Sequence, residues 1–308
     1  MDAKTLLLGG LGVVLVLYLL TIVRGGLVMP TPLQTAIGFV TAFFDTLGIG
    51  SFATTTSIYK LRNLVPVKLI PGTLNVGHTL PTIAQAYIYT QMVPVESTTL
   101  LLMIAAAMAG SWLGAGFVIR WPRRKIQVGM GLALAGAAVM MFLKALSILP
   151  QGGETLGLTG ARLVFGLAGN FVLGALMMLG IGLYAPCMIL VYLLGMTPTA
   201  AFPIMMGSCA FLMPFSSVRF VQSQTYHRQA ALGLALGGFP AAVIAAKFVQ
   251  KDAYSLRPAL ALGLGGVPAV LIAALIVKSM NVDTMRWLVV GVVLIAAAMM
   301  LRSAAKGE

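Results

Sequence analysis

Apolar residues run along this chain in long blocks, and clusters of Lys, Arg, Gly and Pro separate them. The blocks are 6–23, 33–59, 69–93, 98–119, 126–149, 161–194, 201–221, 229–249, 258–278 and 285–301. About 20 mostly apolar residues in a helix cross a hydrocarbon core of about 30 Å, so the pattern predicts about ten membrane segments. The longest polar connector, roughly 150–160, is too short to fold alone. Any function is therefore expected inside the membrane part. Residues 6–23 have the length of a signal peptide's apolar core or more, but no small-residue cleavage site follows and Arg24-Gly25-Gly26 ends the run. They read as a retained first helix.

Two blocks do not fit a single straight helix. Residues 161–194 would extend about 50 Å at 1.5 Å per residue. Inside that run lies Leu179-Gly180-Ile181-Gly182, followed by Pro186, and inside 33–59 lies Leu47-Gly48-Ile49-Gly50. Glycine loosens a helix and proline removes a backbone donor, so a break is expected at each motif. Non-helical backbone at membrane depth is tolerated only inside protein or beside a water-filled cavity. The two motifs are 132 residues apart, and the same offset superposes Pro66 on Pro198 and Pro71 on Pro203. This register predicts a duplicated unit and, with it, the paired repeats of a transporter. The expected organisation is an N-terminal helix (1–32), repeat 1 (33–150), repeat 2 (151–280) and a C-terminal helix (281–308). If all ten blocks cross, Lys and Arg divide 13 to 7 between the two sides; if both LGIG blocks are re-entrant, they divide 12 to 8 and the repeats are inverted. The charge rule permits both, and inverted repeats suit alternating access.

Composition narrows the class. Of 308 residues, 59% are hydrophobic and 9% charged. A soluble domain carries about 25% charged residues, so an ordinary soluble enzyme and a disordered chain are both excluded. Continuous apolar runs also exclude an outer-membrane barrel, whose strands alternate. The fold class expected is an all-α polytopic membrane protein. The net charge of +13 would suggest nucleic acid in a soluble protein, but here the cations flank apolar runs and orient them. No nucleic-acid partner is expected. Of the seven acids, six lie in termini or connectors, and only Asp45 lies well within a span. A carboxylate there costs at least about 2.5–3.5 kcal/mol, so it needs a reason.

Around these motifs the sequence resembles the TauE/SafE family of permeases. The first copy is Gly38-Phe39-Val40-Thr41-Ala42-Phe43-Phe44-Asp45-Thr46-Leu47-Gly48-Ile49-Gly50-Ser51, and the second is Leu179-Gly180-Ile181-Gly182 with Pro186. Gly72-Thr73, Gly207-Ser208 and the run Gly110–Gly116 followed by Arg120 are also similar, so the resemblance covers roughly 33–302. The family's third glycine is Ser51 in one copy and Leu183 in the other. The resemblance implies a multi-pass protein of a bacterial inner membrane that moves sulfite or a small organosulfonate.

Candidate residues follow from what such an anion needs. Gly48, Gly50, Gly180 and Gly182 would let backbone amides approach it. Ser51, Thr54, Thr55 and Thr56 offer hydroxyls at a helix start, where free N–H groups suit an oxyanion; equally, such hydroxyls satisfy neighbouring helix backbone. Thr73, Asn75 and His78 share an apolar segment, with Ser208 and Cys209 as approximate repeat counterparts; Gly207 precedes these, and Cys187 follows the second break. Asp45 and His78 are candidates for proton coupling; for Asp45 the alternative is a helix cap or a pair with a cation. Arg219, His227 and Arg228 could draw an anion into a vestibule or anchor the interface. No cofactor or metal is expected: the 19 methionines cluster no further than doublets, and two histidines without a His-Glu-x-x-His sequence do not make a metalloprotease. An intramembrane enzyme could be imagined only from Ser208 and His78. The expected function is secondary transport by alternating access, with another small anion such as thiosulfate or a carboxylate, or a non-transporting assembly role, as alternatives. The expected partners are a small anionic substrate and the lipid bilayer, with a homodimer as an option.

Overall fold

The apolar runs fold as helices. The computed structural model describes residues 3–46, 50–146, 153–180, 182–249 and scattered positions between 291 and 305. In these residues the helices are α1 (Ala3–Gly25), α2 (Pro32–Thr46), α3 (Ser51–Leu61), α4 (Ile70–Met92), α5 (Ser97–Val118), α6 (Arg123–Ala145), α7 (Gly160–Met177), α8 (Tyr184–Leu193), α9 (Ala201–Gln222) and α10 (Arg228–Val249). The block predicted at 258–278 and most of that at 285–301 lie outside the described residues.

Both long blocks are interrupted at their LGIG motifs. The first is divided between α2 and α3, the second between α7 and α8. Gly50 takes φ 91° and Gly180 takes φ 87°, values that L side chains rarely adopt. Pro186 sits in the first turn of α8, where its missing N–H costs nothing.

Five described helices are long and apolar enough to cross a membrane: α1, α5, α7, α9 and α10. On α1 the buried residues Leu7, Leu11, Val14 and Tyr18 form one stripe, whereas Val13 and Val16 are 69% and 56% exposed. That division suits a helix with one face on protein and the rest in lipid. Helix α4 is as long as α1 but differs in chemistry. Its buried residues include Thr73, Asn75, His78, Thr79, Thr82, Gln85 and Thr90. It tolerates them because it lies within protein, packed against α9, α10 and α1.

Two helix pairs approach closely through glycine. On α5 and α7, a methyl group at Gly114 would stand 2.5 Å from the Ala175 carbonyl oxygen, and one at Gly110 would collide with the Phe171 carbonyl. On α2 and α10, a methyl at Gly38 would stand 2.7 Å from the Gly233 carbonyl oxygen, and one at Gly237 would collide with that of Thr35. Small residues let backbones meet in this way, and dispersion replaces the hydrophobic drive that lipid does not supply.

The connector before α7 is fixed rather than independent. Leu156 O accepts from Glu96 N, and Leu158 N donates to Thr99 Oγ1. Glu96 caps α5, accepting from Thr98 N at 2.8 Å and Thr99 N at 2.6 Å. Burial alone would raise its carboxyl pKa, but the Thr99 and Thr98 hydrogen bonds win and lower it to about 2. Its capping contribution is therefore full above the ordinary carboxyl range and lost as pH falls toward about 2. Glu96→Ala should cost about 1 kcal/mol near neutral pH. In thermal unfolding the difference from the parent should vanish toward pH about 2; a difference that persists in acid would exclude the cap as its source.

Candidate functional site

The two interruptions meet. A small cavity, with room for about one water, is lined by Gly50, Ser51 and Phe52 at the start of α3 and by Gly182, Leu183 and Tyr184 at the start of α8. Asp45, Thr82, Met177, Cys209 and Met213 complete the lining. The starts lie close together: a methyl added at Gly182 would come within 3.6 Å of Phe52 Cβ. Two helix N-termini thus face one space. Each presents amides without intrahelical acceptors and about half a positive charge. The space is far below that of a drug-sized site.

Asp45 lies in the last turn of α2 and is only 3% exposed. Its Oδ1 accepts from the Ser51 amide at 2.6 Å. The carboxylate thus bridges the first interruption, capping α3 from the end of α2. This is the capping role weighed for it above. The Gln85, Ser51 and Tyr184 side chains also interact with this carboxylate.

Gln85 on α4 ties the two interruptions together. Tyr184 Oη donates to Gln85 Oε1 at 2.7 Å, and Gln85 Nε2 donates to Thr46 Oγ1 at 2.8 Å. Tyr89 Oη donates to the Thr46 carbonyl at 2.8 Å. The end of α2 and the start of α8 are therefore held through one α4 side chain. Sequence reading passed over Gln85, Thr82 and Tyr89. The signal was present: Asn75, His78, Thr82, Gln85 and Tyr89 recur at helical spacing along one face of α4, and all are buried.

The sequence-derived candidates divide into two groups. Asp45, Gly50, Ser51 and Gly182 line the cavity; Gly48 lies outside the described residues. The others have other neighbours. Thr54 Oγ1 donates to the Ser51 carbonyl, and Thr73 Oγ1 accepts from the His227 amide. Asn75 pairs with Ser216 Oγ and the Pro71 carbonyl. Thr55 Oγ1 and His78 Nε2 are 3.0 Å apart, the His78 ring lies 5.8 Å from that of Phe52, and His78 Nδ1 has no partner. Ser208 Oγ accepts from Asn170, and neither ring nitrogen of His78 bonds to it. Gly207 packs on Ile104, and Gly180 lies near Met130 and Leu74. Cys187 is buried outside the lining, whereas Cys209 lines the cavity. Arg219 stacks on the half-exposed Trp112 with its guanidinium carbon 3.7 Å from the ring centroid, which favours the anchoring alternative.

Among the described residues no group of three or more His, Cys, Asp or Glu is placed to hold a metal ion. Beside the Asp45 carboxylate, the lining offers neutral hydroxyls, a thiol and the amides of two helix starts. Such a set can hold a small oxyanion without a metal.

Comparison with curated proteins returns no match, and comparison with solved structures returns none. Comparison with protein families does: the model of the family described as Sulfite exporter TauE/SafE matches residues 33–262. That span begins at α2, contains both interruptions and every lining residue of the cavity, and covers most of the 308 residues. The chain therefore belongs to the TauE/SafE sulfite exporter family, whose members are multi-pass membrane proteins that transport sulfur anions.

Proposed function

We propose that this protein is a secondary transporter of a small sulfur oxyanion, sulfite or a small organosulfonate, which binds in the cavity between the starts of α3 and α8. The observation that carries this reading is the convergence of two helix N-termini on one small space inside apolar protein. Backbone amides there supply positive potential without the desolvation cost of a buried cation. The cavity is tight, with room for about one water. A bound anion therefore requires the lining to yield, as alternating access demands of a closed site.

Reciprocal packing supports reading the chain as two copies. Under the 132-residue offset, α2 corresponds to the later part of α7, and α5 to α10. The two closest glycine pairs, α2 on α10 and α7 on α5, are then counterparts of each other. Movement of one copy against the other would expose the cavity to each side in turn. Asp45 is the carboxylate available for proton coupling. His78, joined to Phe52 and Thr55, is one layer removed from the cavity.

Flux tests the reading. Purified protein in liposomes should give saturable uptake of sulfite, with thiosulfate, sulfoacetate and taurine as the comparison set. Uptake no faster than in empty liposomes for every one of these would remove the transport assignment.

A further inference from the structure

The charge of the cavity bears on which form of the anion it takes, an inference that rests on the transport reading above. Among the described lining residues there is no Lys, Arg or His, and there is one carboxylate, Asp45. The two helix starts bring about one positive charge between them. Asp45 already offsets that charge, and Oδ1 already occupies one of the amides, that of Ser51. A dianion would add two negative charges beside a buried carboxylate, with no cation among the described lining residues to balance them. Like charges at such range inside a protein do not both stay ionised; a proton settles between them.

The hydrogen-bond inventory points the same way. Tyr184 spends its hydroxyl proton on Gln85 Oε1, and Cys209 points its thiol at Met177 Sδ, 3.6 Å away. The Ser51 hydroxyl already interacts with Asp45 and that of Thr82 with Tyr184, so the amides at the start of α8 remain. These are donors for an oxyanion. The carboxylate is an acceptor, and only a ligand that carries its own O–H can use it.

We propose that the cavity takes a protonated oxyanion, the hydrogen sulfite form and not the sulfite dianion, with the ligand's O–H donated to the Asp45 carboxylate. A proton then crosses with each anion, held between ligand and side chain. Sulfate, a dianion, and methanesulfonate, a monoanion without an acidic proton, both lack what the cavity recognises. The titratable groups that face Asp45 are Tyr89 from α4, Tyr184 from α8 and Cys209 from α9. Helix α3 contributes Ser51, and α10 carries its described cation, Arg228, at the far end of α2 beside Gly26. Phenols and thiols ordinarily titrate above neutral pH, so the neutral range is left to the ligand's own proton.

The experiment is uptake of labelled sulfite by the full chain in liposomes, with equal pH on both sides, from mildly acidic to mildly alkaline. At fixed total sulfite, uptake should fall by about tenfold per pH unit above the ligand's own pKa, as the protonated form does. Sulfate and methanesulfonate should compete at least about tenfold more weakly than sulfite, a difference of about 1.4 kcal/mol. Asp45→Asn keeps an acceptor oxygen but removes the charge, so it should flatten the pH profile and admit sulfate as a competitor. Uptake that is independent of pH in the parent protein, or methanesulfonate competing as well as sulfite, would overturn the proposal and leave the transport reading standing. Absence of sulfite uptake at every pH would bring down that reading itself, and the proposal with it.

Discussion

Gly110→Val and Gly237→Val should each destabilise the protein by about 3 kcal/mol, the upper end of the range for overpacking. The cause is the nature of the obstacle. A side chain at Gly110 meets the Phe171 carbonyl, and one at Gly237 meets the Thr35 carbonyl. Both are helix backbone, which cannot rotate aside as a flexible side chain can. The helices must separate, and every dispersion contact along the α5–α7 or α2–α10 seam weakens with them. Thermal unfolding in detergent should show a markedly lower midpoint and poor recovery of monodisperse protein. Gly12 and Gly136 provide the control, because a methyl there meets nothing within 4 Å. Alanine at either position should be neutral or stabilising by up to about 1 kcal/mol, since glycine is a weak helix former. If Gly110→Val behaves like Gly12→Ala, the close α5–α7 approach is wrong.

Gln85→Leu should lower sulfite uptake by about tenfold or more while reducing stability by about 1–3 kcal/mol. Leucine nearly preserves the volume but strands the Tyr184 hydroxyl, which donates to Gln85 Oε1 at 2.7 Å. It also releases Thr46 at the end of α2 from Gln85 Nε2. The starts of α3 and α8 then lose the side chain that joins their surroundings, and donors shifted by even a fraction of an ångström fit a small anion poorly. Tyr184→Phe removes the same link from the other side, leaving Gln85 Oε1 unpaired. A double-mutant cycle separates this from two independent losses. The double variant should be less impaired than the sum of the singles, with a coupling of about 0.5–3 kcal/mol. Strict additivity would mean that Gln85 and Tyr184 do not act through each other.

Some of this site was readable in the residues. Both interruptions were, because their causes are local: Gly50 and Gly180 adopt backbone angles that favour glycine, and Pro186 fits only a helix start. Asp45 stood out because a carboxylate in an apolar run requires a partner, and the helix-cap alternative is the arrangement found. The hydroxyls were harder. Thr54, Thr55 and Thr73 are of the same chemical kind as Ser51, yet they bond to Ser51 O, His78 and the His227 amide. Ser208 is likewise engaged by Asn170. A hydroxyl in a membrane helix can serve a ligand, its own backbone or a neighbour, and sequence spacing does not rank these.

The polar face of α4 lies between those cases. Asn75, His78, Thr82, Gln85 and Tyr89 share a helical face in the sequence, but their several roles come from what surrounds them. Asn75 meets Ser216 of α9, His78 meets Thr55 of α3, Thr82 opens on the cavity, and Gln85 and Tyr89 hold the end of α2. By itself, then, the sequence determined the membrane class, the places where helix had to stop and the acid, Asp45, that lies within a span, because hydropathy and backbone stereochemistry act at each residue without reference to distant ones. Only the tertiary structure decided that the two stops face one cavity and which donors line it, because hydrogen-bond partners in a low-dielectric interior are allotted between helices far apart in the chain.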